Sequence, residues 1–446
     1  MIIMKFGGSS IANANRIRDV INIIKLYLDQ KPVIVFSASG ETTDNLIEAG
    51  NEAVKGKVNY EAIRDHHLTL CEDLDVPTDT INALLTELDH LLSGMALLRE
   101  MAPRASDYLV SFGERLSVRI IAAYMNKINI PAKYYDGWDA GFITDSQFTN
   151  AEILPETKQN ISAVLSDVKQ SYPFTPVVTG FIAKDEEGNI TTFGRGGSDL
   201  TASVLGAALQ VVEIQVWKDV DGILTADPRI VPNAKPVDCI SFEQASELAY
   251  FGAKVLHPVS IIPAMSEGIP VSVKNSYNPK HPGTKIVNKV PDENVWVKSI
   301  TYKKHVTLIH IVSTRMLGQY GFLARVFQIF ADLKISVDVV ATSEVSIALT
   351  LDKAHHLGEL NKELEKIARV TVNSDKSIIS LIGDIQHSTE ILSRTMQVLK
   401  QHKMHVQMIS HGASKVNNSF IVNDSDVELF VTDLHRLFFD EAGAQA

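Results

Sequence analysis

MIIMKFGGSS, residues 1–10, contains a mainly apolar run from Ile2 to Phe6, which includes the single charged residue Lys5 and is followed by two glycines. A short apolar run bounded by glycines predicts a buried β-strand. It is followed by apolar residues at helical spacing, Ile17, Ile21, Ile24 and Leu28, and by a second strand pattern, Val33 to Ser37. Because parallel strands need a crossover between them, this order predicts a parallel α/β unit.

The same alternation of strand and helix patterns continues to about residue 290. Two long amphipathic helices are predicted around Leu84 to Leu98 and Leu109 to Ala123. Further strands are predicted at Ala132 to Asp136, Val177 to Thr179, Glu213 to Trp217 and Val271 to Lys274, with a hairpin turn at Glu187 to Asn189. The predicted fold class is therefore α/β, with a mainly parallel sheet sandwiched by helices.

A different pattern follows the stretch from residue 275 to 294, which is rich in proline and polar residues. The order of predicted elements from Val306 to Asn373 is βαββαβ, which is ferredoxin-like, and this order recurs from Ile378 without its sixth strand. An extra strand, Val295 to Tyr302, precedes the first copy, and we expect it to complete the second. The predicted domains are 1–290, 303–374, and an interleaved unit of 295–302 with 375–446.

Composition excludes several classes of protein. Of the 446 residues, 45% are hydrophobic and 21% are charged, which is ordinary for a globular protein. The formal net charge of −11 provides no basic field for nucleic acid or an anionic membrane, so an anionic substrate needs locally placed cations. The two cysteines, Cys71 and Cys239, suit a reducing compartment, and no Cys/His cluster has metal-ligand spacing. We expect a cytoplasmic protein without a structural metal.

Two glycine-rich helix entries carry candidate chemistry. In Lys5 to Ser10, the glycines allow a ligand to approach the backbone, and Lys5 and the helix N-terminus favour a phosphate. In FGRGGSDLT, residues 193–201, three glycines surround Arg195, which favours a buried guanidinium that binds a carboxylate. The alternatives are a plain tight turn with a solvated lysine, and a simple helix N-cap formed by the serine or aspartate of the second motif.

Two further motifs are weaker when taken alone. Gly113 lies inside a predicted helix, where glycine costs ~1 kcal/mol relative to alanine, so we expect another element to approach it closely. The neighbouring Glu114 is a candidate partner for an ammonium group, or one half of a solvated surface pair. A candidate nucleoside pocket comprises Trp217 to Gly222, Thr225 to Arg229 and Gly252 to Pro258, although these contain ordinary turn dipeptides.

The sequence lacks a phosphate-binding P-loop, a Gly-x-Gly-x-x-Gly turn after a strand and the His-Arg-Asp set of protein kinases. The four motifs, in this order and followed by a doubled ferredoxin-like unit, closely resemble the aspartate kinases of the amino-acid kinase family over essentially the whole chain. The resemblance implies transfer of the γ-phosphoryl group of ATP, carried with Mg²⁺, to the side-chain carboxylate of L-aspartate. It also implies that the two C-terminal copies are ACT regulatory units through which the chain forms a homodimer.

The resemblance assigns roles to individual residues. Lys5 would stabilise the transferring phosphoryl group, and Asp199 would orient Lys5. The substrate pocket would comprise Arg195 at the α-carboxylate, Glu114 at the ammonium group, Ser198, and Thr43 or its neighbour Thr42. The nucleotide site would comprise Lys5, Gly7, Gly8, Ser9, Lys218, Asp219, Arg229, Lys254 and Val255.

The first C-terminal copy resembles that of lysine-sensitive members of the family. Asp338 would receive the ammonium group of a lysine effector, and turn N–H groups around Gly318 and Gly321 would receive its carboxylate. The implied effector site comprises Met316, Gly318, Gly321, Ser336, Asp338, Thr342, Ser343 and Glu344. The alternative is that these residues are surface turns of an interaction module.

Two other functions stay open at this point. The chain could phosphorylate another acceptor, such as glutamate, or it could be an amino-acid sensor without catalysis that uses only its C-terminal copies. The presence of Lys5, Arg195 and Asp199 together counts against the sensor. The leading prediction is the first step of the pathway from aspartate to lysine, threonine and methionine, with feedback by lysine.

Overall fold

The computed structural model describes residues 1–252, 255–291, 295–313, 320–352 and 356–440, apart from the side chain of Ile385. The chain divides into two units, which are described separately. The first comprises Met1–Ile223, Asp238–Phe242 and Val255–Val290. The second comprises Leu224–Val237 and the described parts of Glu243–Lys254 and Pro291–Ala446.

The first unit alternates strands and helices, as the sequence patterns predict. Its strands are β1 (Ile2–Phe6), β2 (Pro32–Phe36), β3 (Ala132–Tyr135), β4 (Ile143–Thr144), β5 (Thr175–Thr179), β6 (Ile182–Asp185), β7 (Ile190–Thr192), β8 (Glu213–Lys218), β9 (Cys239–Ser241), β10 (Val271–Asn275) and β11 (Thr284–Val287). Its helices are α1 (Ala14–Lys25), α2 (Thr42–Val54), α3 (Glu61–Leu74), α4 (Asp79–Leu98), α5 (Pro103–Lys127), α6 (Glu156–Val164), α7 (Ser166–Ser171), α8 (Gly197–Leu209), the start of α9 (Phe242–Tyr250), and α10 (Ile262–Ser266).

An eight-stranded sheet forms the centre of the first unit, in the order β3-β5-β2-β1-β8-β10-β11-β9. Neighbouring strands are parallel except β10 and β11. Every residue of β1, β2 and β5 is buried, which is characteristic of parallel strands covered on both faces. The mainly parallel α/β class is therefore confirmed, and so is the β6–β7 hairpin. The proline-rich stretch assigned to a domain boundary also contributes a strand, β11.

The core of the first unit explains two sequence features. Phe6 stacks between Phe36 and Trp217, with ring centroids 5.6 and 5.8 Å apart, so aromatic side chains fill the space over β1, β2 and β8. At Gly113, inside α5, a Cβ atom would lie 2.6 Å from the Cβ atom of Ala38. The close approach that we predicted at Gly113 is therefore confirmed.

The second unit contains a six-stranded antiparallel sheet in the order β13-β14-β12-β15-β17-β16. Its strands are β12 (Val297–Val312), β13 (Val340–Thr342), β14 (Ser346–Leu351), β15 (Arg369–Gly383), β16 (Met408–Ser410) and β17 (Asn417–Asn423). Its helices, after α9, are α11 (Phe322–Asp332), α12 (Leu357–Glu365), α13 (Ser388–Gln401) and α14 (Val427–His435).

Two long strands, β12 and β15, serve both ferredoxin-like copies. Residues 297–303 pair with residues 378–383, which open the second copy, whereas residues 306–312 pair with β14 and with residues 369–373 of the first copy. The sequence patterns predict four separate strands here, and that prediction is wrong because strand pairing continues through the junction, where His305 and Asp375 have φ values of 63° and 56°. A register shift between Lys303 and Val306 marks the change of copy. The pairing is the one that interleaved copies require.

None of the helices that the structure describes combines the length and the hydropathy that a bilayer crossing requires.

Candidate active site

Three charged side chains meet at the carboxyl ends of β1 and β8. Lys5 lies on β1, Lys218 is the last residue of β8, and Asp199 lies in the first turn of α8. The Lys5 Nζ atom is 2.7 Å from Asp199 Oδ1, and the Lys218 Nζ atom is 3.2 Å from Asp199 Oδ2. Because β1 and β8 are parallel neighbours, their carboxyl ends place both lysines at one edge of the sheet, where α/β folds bind ligands.

Burial and charge together fix the ionisation of this cluster. Lys5 and Asp199 are each only 6% exposed. Burial alone would raise the pKa of Asp199, but attraction to Lys5 and Lys218 outweighs it and lowers that pKa to about 2. Burial also lowers the pKa of Lys5, while Asp199 opposes this shift. Asp199 is therefore a fixed negative charge that holds two ammonium groups together.

Glu114 supplies a second buried carboxyl group. It lies on α5, is 3% exposed, and accepts a hydrogen bond at Oε1 from the Ala38 N–H at 3.1 Å. Its Oε2 atom is buried without a hydrogen-bond partner among the residues described. Burial raises the pKa of Glu114 to about 8. The reading of Glu114 as half of a solvated surface pair with Arg115 is therefore excluded, and Arg115 instead pairs with Glu87 at 3.0 Å.

These groups line one cavity of about 320 Å³. Its lining side chains and glycines are Lys5, Ser37, Thr43, Glu114, Phe181, Gly194, Gly196, Gly197, Ser198, Asp199 and Lys218. Thr43 lines this cavity, whereas the Thr42 hydroxyl donates to the Ser39 carbonyl at 2.6 Å, so the structure favours Thr43 as the pocket residue. The cavity thus offers two cations, a buried carboxyl group and the N-terminus of α8 to one small ligand.

Arg195 is placed differently from our prediction. The glycines around it indicated a buried guanidinium, but the residue is exposed. Gly194 and Gly196 have φ values of 69° and 75°, and the tight turn that they make projects the side chain outward. Arg195 lines a larger cavity of about 980 Å³, and Gly194 and Gly196 line both cavities.

Of the described residues that the sequence analysis assigns to the nucleotide, Lys5 and Lys218 line the small cavity and the others do not. Gly7 and Gly8 form the turn after β1, and a Cβ atom on Gly8 would lie 2.7 Å from the Ala38 carbonyl oxygen. Ser9 and Asp219 are exposed, and Val255 is partly exposed. Arg229 belongs to the second unit, where it pairs with Asp227 at 2.6 Å. Lys254 lies outside the described residues.

The residues expected at the effector site lie in the second unit. Met316 and Gly318 are outside the described residues. Asp338 has a buried side chain, whereas Ser336, Gly321, Thr342, Ser343 and Glu344 are exposed. Ser343 accepts hydrogen bonds from two backbone N–H groups of the turn between β13 and β14, so it also has a structural role.

Sequence reasoning missed two members of the small cavity. Ser37 directly follows β2 and donates to the Ser198 hydroxyl at 3.1 Å. Phe181 lies between β5 and β6 with a φ of 70°. The position of Ser37 after a buried strand was an available signal, because the carboxyl ends of neighbouring parallel strands share one edge.

Residues 1–275 match the model of the amino acid kinase family, and residues 379–438 match that of the ACT domain. The chain therefore belongs to the amino acid kinase family. The chloroplastic aspartokinase 1 of Arabidopsis thaliana is 50% identical over 98% of this chain and 80% of its own length. The lysine-sensitive aspartokinase 3 of Escherichia coli is 33% identical over 99% of each chain. Within its family, this chain accordingly belongs with the aspartokinases.

A solved structure agrees with these sequence matches. The crystal structure of E. coli aspartokinase III in complex with aspartate and ADP, in the R-state, superposes with a TM-score of 0.82 at 32% identity, covering 98% of this chain and all (100%) of that one. The resemblance given by the sequence motifs is thus confirmed at the level of the family and of the fold.

Proposed function

We propose that this chain transfers the γ-phosphoryl group of ATP to the side-chain carboxylate of L-aspartate, giving 4-phospho-L-aspartate and ADP. The observation that carries the proposal is the single cavity in which Lys5, Lys218, Glu114 and Ser198 meet. Membership of the aspartokinases supports the choice of substrates.

The geometry suits phosphoryl transfer without a strong base. An aspartate carboxylate is ionised at neutral pH, so one of its oxygens attacks the γ-phosphorus as the bond to ADP breaks, and no proton moves. Lys5 and Lys218 offset the negative charge on the transferring group, and Asp199 holds both ammonium groups in place. Before this step, as the substrate binds, Glu114 gives its proton to solvent, and its Oε2 atom, which has no hydrogen-bond partner among the described residues, receives the substrate ammonium group.

Arg195 is proposed to bind the α-carboxylate of the substrate after its turn rearranges. Gly194 and Gly196 border both cavities, and glycines tolerate the backbone change that would bring the guanidinium to the smaller one. Thr43 and Ser198 complete this pocket.

Mg²⁺ is proposed to enter with the nucleotide. Among the carboxyl groups that line the cavity, Asp199 is held by two lysines and Glu114 is assigned to the substrate ammonium group. The ion would therefore take its oxygens mainly from phosphate and water, with the exposed Asp219 as the candidate protein ligand. When bound, it would neutralise phosphate charge. Arg229, Lys254 and Val255 stay proposed nucleotide contacts.

A hydroxamate assay with aspartate and glutamate as acceptors tests the proposed activity. We expect product with aspartate and ATP and little with glutamate. Phosphorylation of glutamate but not aspartate would select the alternative kinase, and lysine binding without ADP release would select the sensor.

Feedback by lysine is proposed on the resemblance of the first ACT copy, and the name of the E. coli relative supports it. A lysine-dependent fall in aspartate phosphorylation is the expected result, with threonine and methionine as comparisons. An absence of any lysine effect would refute this part of the proposal.

The domain ranges, oligomer and location are proposed with the activity. Pairing of residues 297–303 with residues 378–383 supports the interleaved ranges. A homodimer would form through the ACT units, and sedimentation should give twice the 49.1 kDa chain mass. The cytoplasm is the proposed location, supported by the free, buried thiol of Cys71, although the Arabidopsis relative is chloroplastic.

A further inference from the structure

A lysine side chain of the second unit lies in a cage suited to an ammonium group. The Lys303 Nζ atom is 3.2 Å from Asp338 Oδ2 and 2.7 Å from Asp352 Oδ1. It also lies 5.2 Å from the centre of the Tyr250 ring. Two carboxylates and an aromatic face are the groups that bind a primary ammonium group most favourably.

The carboxylate of Asp338 is rigidly placed. Its side chain is 2% exposed, and its Oδ1 atom accepts a hydrogen bond from the Tyr250 hydroxyl at 2.8 Å. Its backbone N–H donates to the Thr350 carbonyl at 2.9 Å, which ties the residue to β14. Burial raises the pKa of Asp338, and Lys303 counteracts this shift. A carboxylate buried in this way needs a cation, and the chain supplies one from β12.

We propose that Asp338, Asp352 and Tyr250 form the ammonium subsite of the effector, and that Lys303 occupies this subsite until the effector displaces it. The proposal rests on the proposed regulation by lysine, and it adds an internal competitor to the site. The effector can bind only where the Lys303 ammonium group has left the subsite. Its apparent affinity is therefore its intrinsic affinity multiplied by the fraction of chains in which the subsite is free of Lys303.

The proposal also assigns a route for the signal. Lys303 ends the part of β12 that pairs with the second copy, directly before the register shift that leads into the first copy. Release of its side chain therefore removes an ion pair at the junction of the two ACT copies. A ligand without a terminal ammonium group cannot replace Lys303.

Chemical rescue tests the cage without reference to lysine. Lys303→Ala keeps Cβ and removes the three outer carbons with the ammonium group, a propylammonium fragment, which leaves Asp338 without its cation. We expect n-propylammonium chloride to raise the melting temperature of Lys303→Ala by several degrees relative to sodium chloride, and to leave the wild type unchanged. Lys304→Ala is the matched control, because Lys304 is adjacent but pairs with the exposed Glu428 at 3.3 Å. Equal responses of the two variants would overturn the cage.

Calorimetric titration tests the competition. Lys303→Met keeps the apolar stem and removes the charge, so we expect it to bind lysine at least ten-fold more tightly than the wild type. Lys304→Met should match the wild type, and 2-aminohexanoate, which lacks the terminal ammonium group, should gain nothing. Unchanged or weaker lysine binding by a folded Lys303→Met, or by Lys303→Gln if the first variant does not fold, would overturn the proposal. If no form binds lysine while propylammonium still rescues Lys303→Ala, regulation by lysine fails and the cage stands.

Discussion

Glu114 makes the stability of the protein depend on pH. Its pKa is raised by burial from 4.5 to about 8, so the folded chain binds this proton more tightly than the unfolded chain does. The resulting stabilisation is complete below about pH 4.5 and is lost as the pH rises through 8. The folded chain therefore favours a protonated Glu114 at neutral pH.

Comparison with Glu114→Gln isolates this effect. Between pH 5 and pH 9, the free energy of unfolding of the wild type should fall relative to that of Glu114→Gln by roughly a few kcal/mol. Denaturant titration at each pH measures it. Glu186→Gln, at an exposed position, should follow the wild type. Parallel profiles for wild type and Glu114→Gln would contradict the assignment.

Lys5 should matter for turnover more than for binding. Lys5→Met removes the ammonium group that offsets charge on the transferring phosphoryl group, so kcat should fall roughly a hundred-fold to a thousand-fold or more. Calorimetry should still detect nucleotide binding. Lys25→Met, at the exposed end of α1, is the control and should keep full activity. Wild-type turnover by Lys5→Met would remove Lys5 from its proposed role.

At single residues, sequence reasoning succeeded where the motif itself contains the information. Lys5 and Asp199 were paired through the family resemblance, and they form an ion pair in the structure. The contacts of Asp199 with Lys218, and of Ser37 with Ser198, were missed because they depend on how distant strands align in the sheet. The exposure of Arg195 depends on glycine φ values, which composition does not reveal.

Two glycines within long helices provide a matched pair of tests for helix packing. Gly113→Ala would place a methyl group 2.6 Å from Ala38 Cβ, so α5 and the Ala38 segment must separate. Since the Ala38 N–H donates to Glu114, we expect a loss of ~1–3 kcal/mol of stability and a higher KM for aspartate.

Gly94 in α4 provides the control. No heavy atom lies within 4 Å of the position of a Cβ atom there, so Gly94→Ala should increase stability by ~0.5–1 kcal/mol without changing KM. Denaturant titration and initial rates measure both variants. If Gly113→Ala also stabilises the chain, close packing at α5 is wrong.

Strands were predicted best where both of their faces are buried. The runs assigned to β1 and β2 were found because strands covered on both faces are nearly continuous apolar runs. The short β4, β9 and β11 were missed, since two to four residues carry too little pattern. The division of β12 and β15 into four strands was wrong because polar residues at the junction resembled a loop.

Across the whole second unit, the shared strands should make the two ACT copies unfold together. Leu349, fully buried on β14 in the first copy, is suited to test this. Leu349→Ala should cost ~2–5 kcal/mol and reduce hydrogen-exchange protection in β17 of the second copy as well as in β14. Leu98→Ala, at an exposed position, should change neither. Full protection of β17 in Leu349→Ala would show that the copies open independently.

The same continuity of β12 and β15 limits how regulation of this kind can be exchanged between proteins. Any crossover between residues 297 and 383 would separate a strand from the copy that it completes. A chimera that imports only one copy would therefore carry an incomplete version of the six-stranded sheet. The smallest segment that keeps this sheet whole runs from residue 297 onward, so the two ACT copies must be inherited, lost or transplanted together.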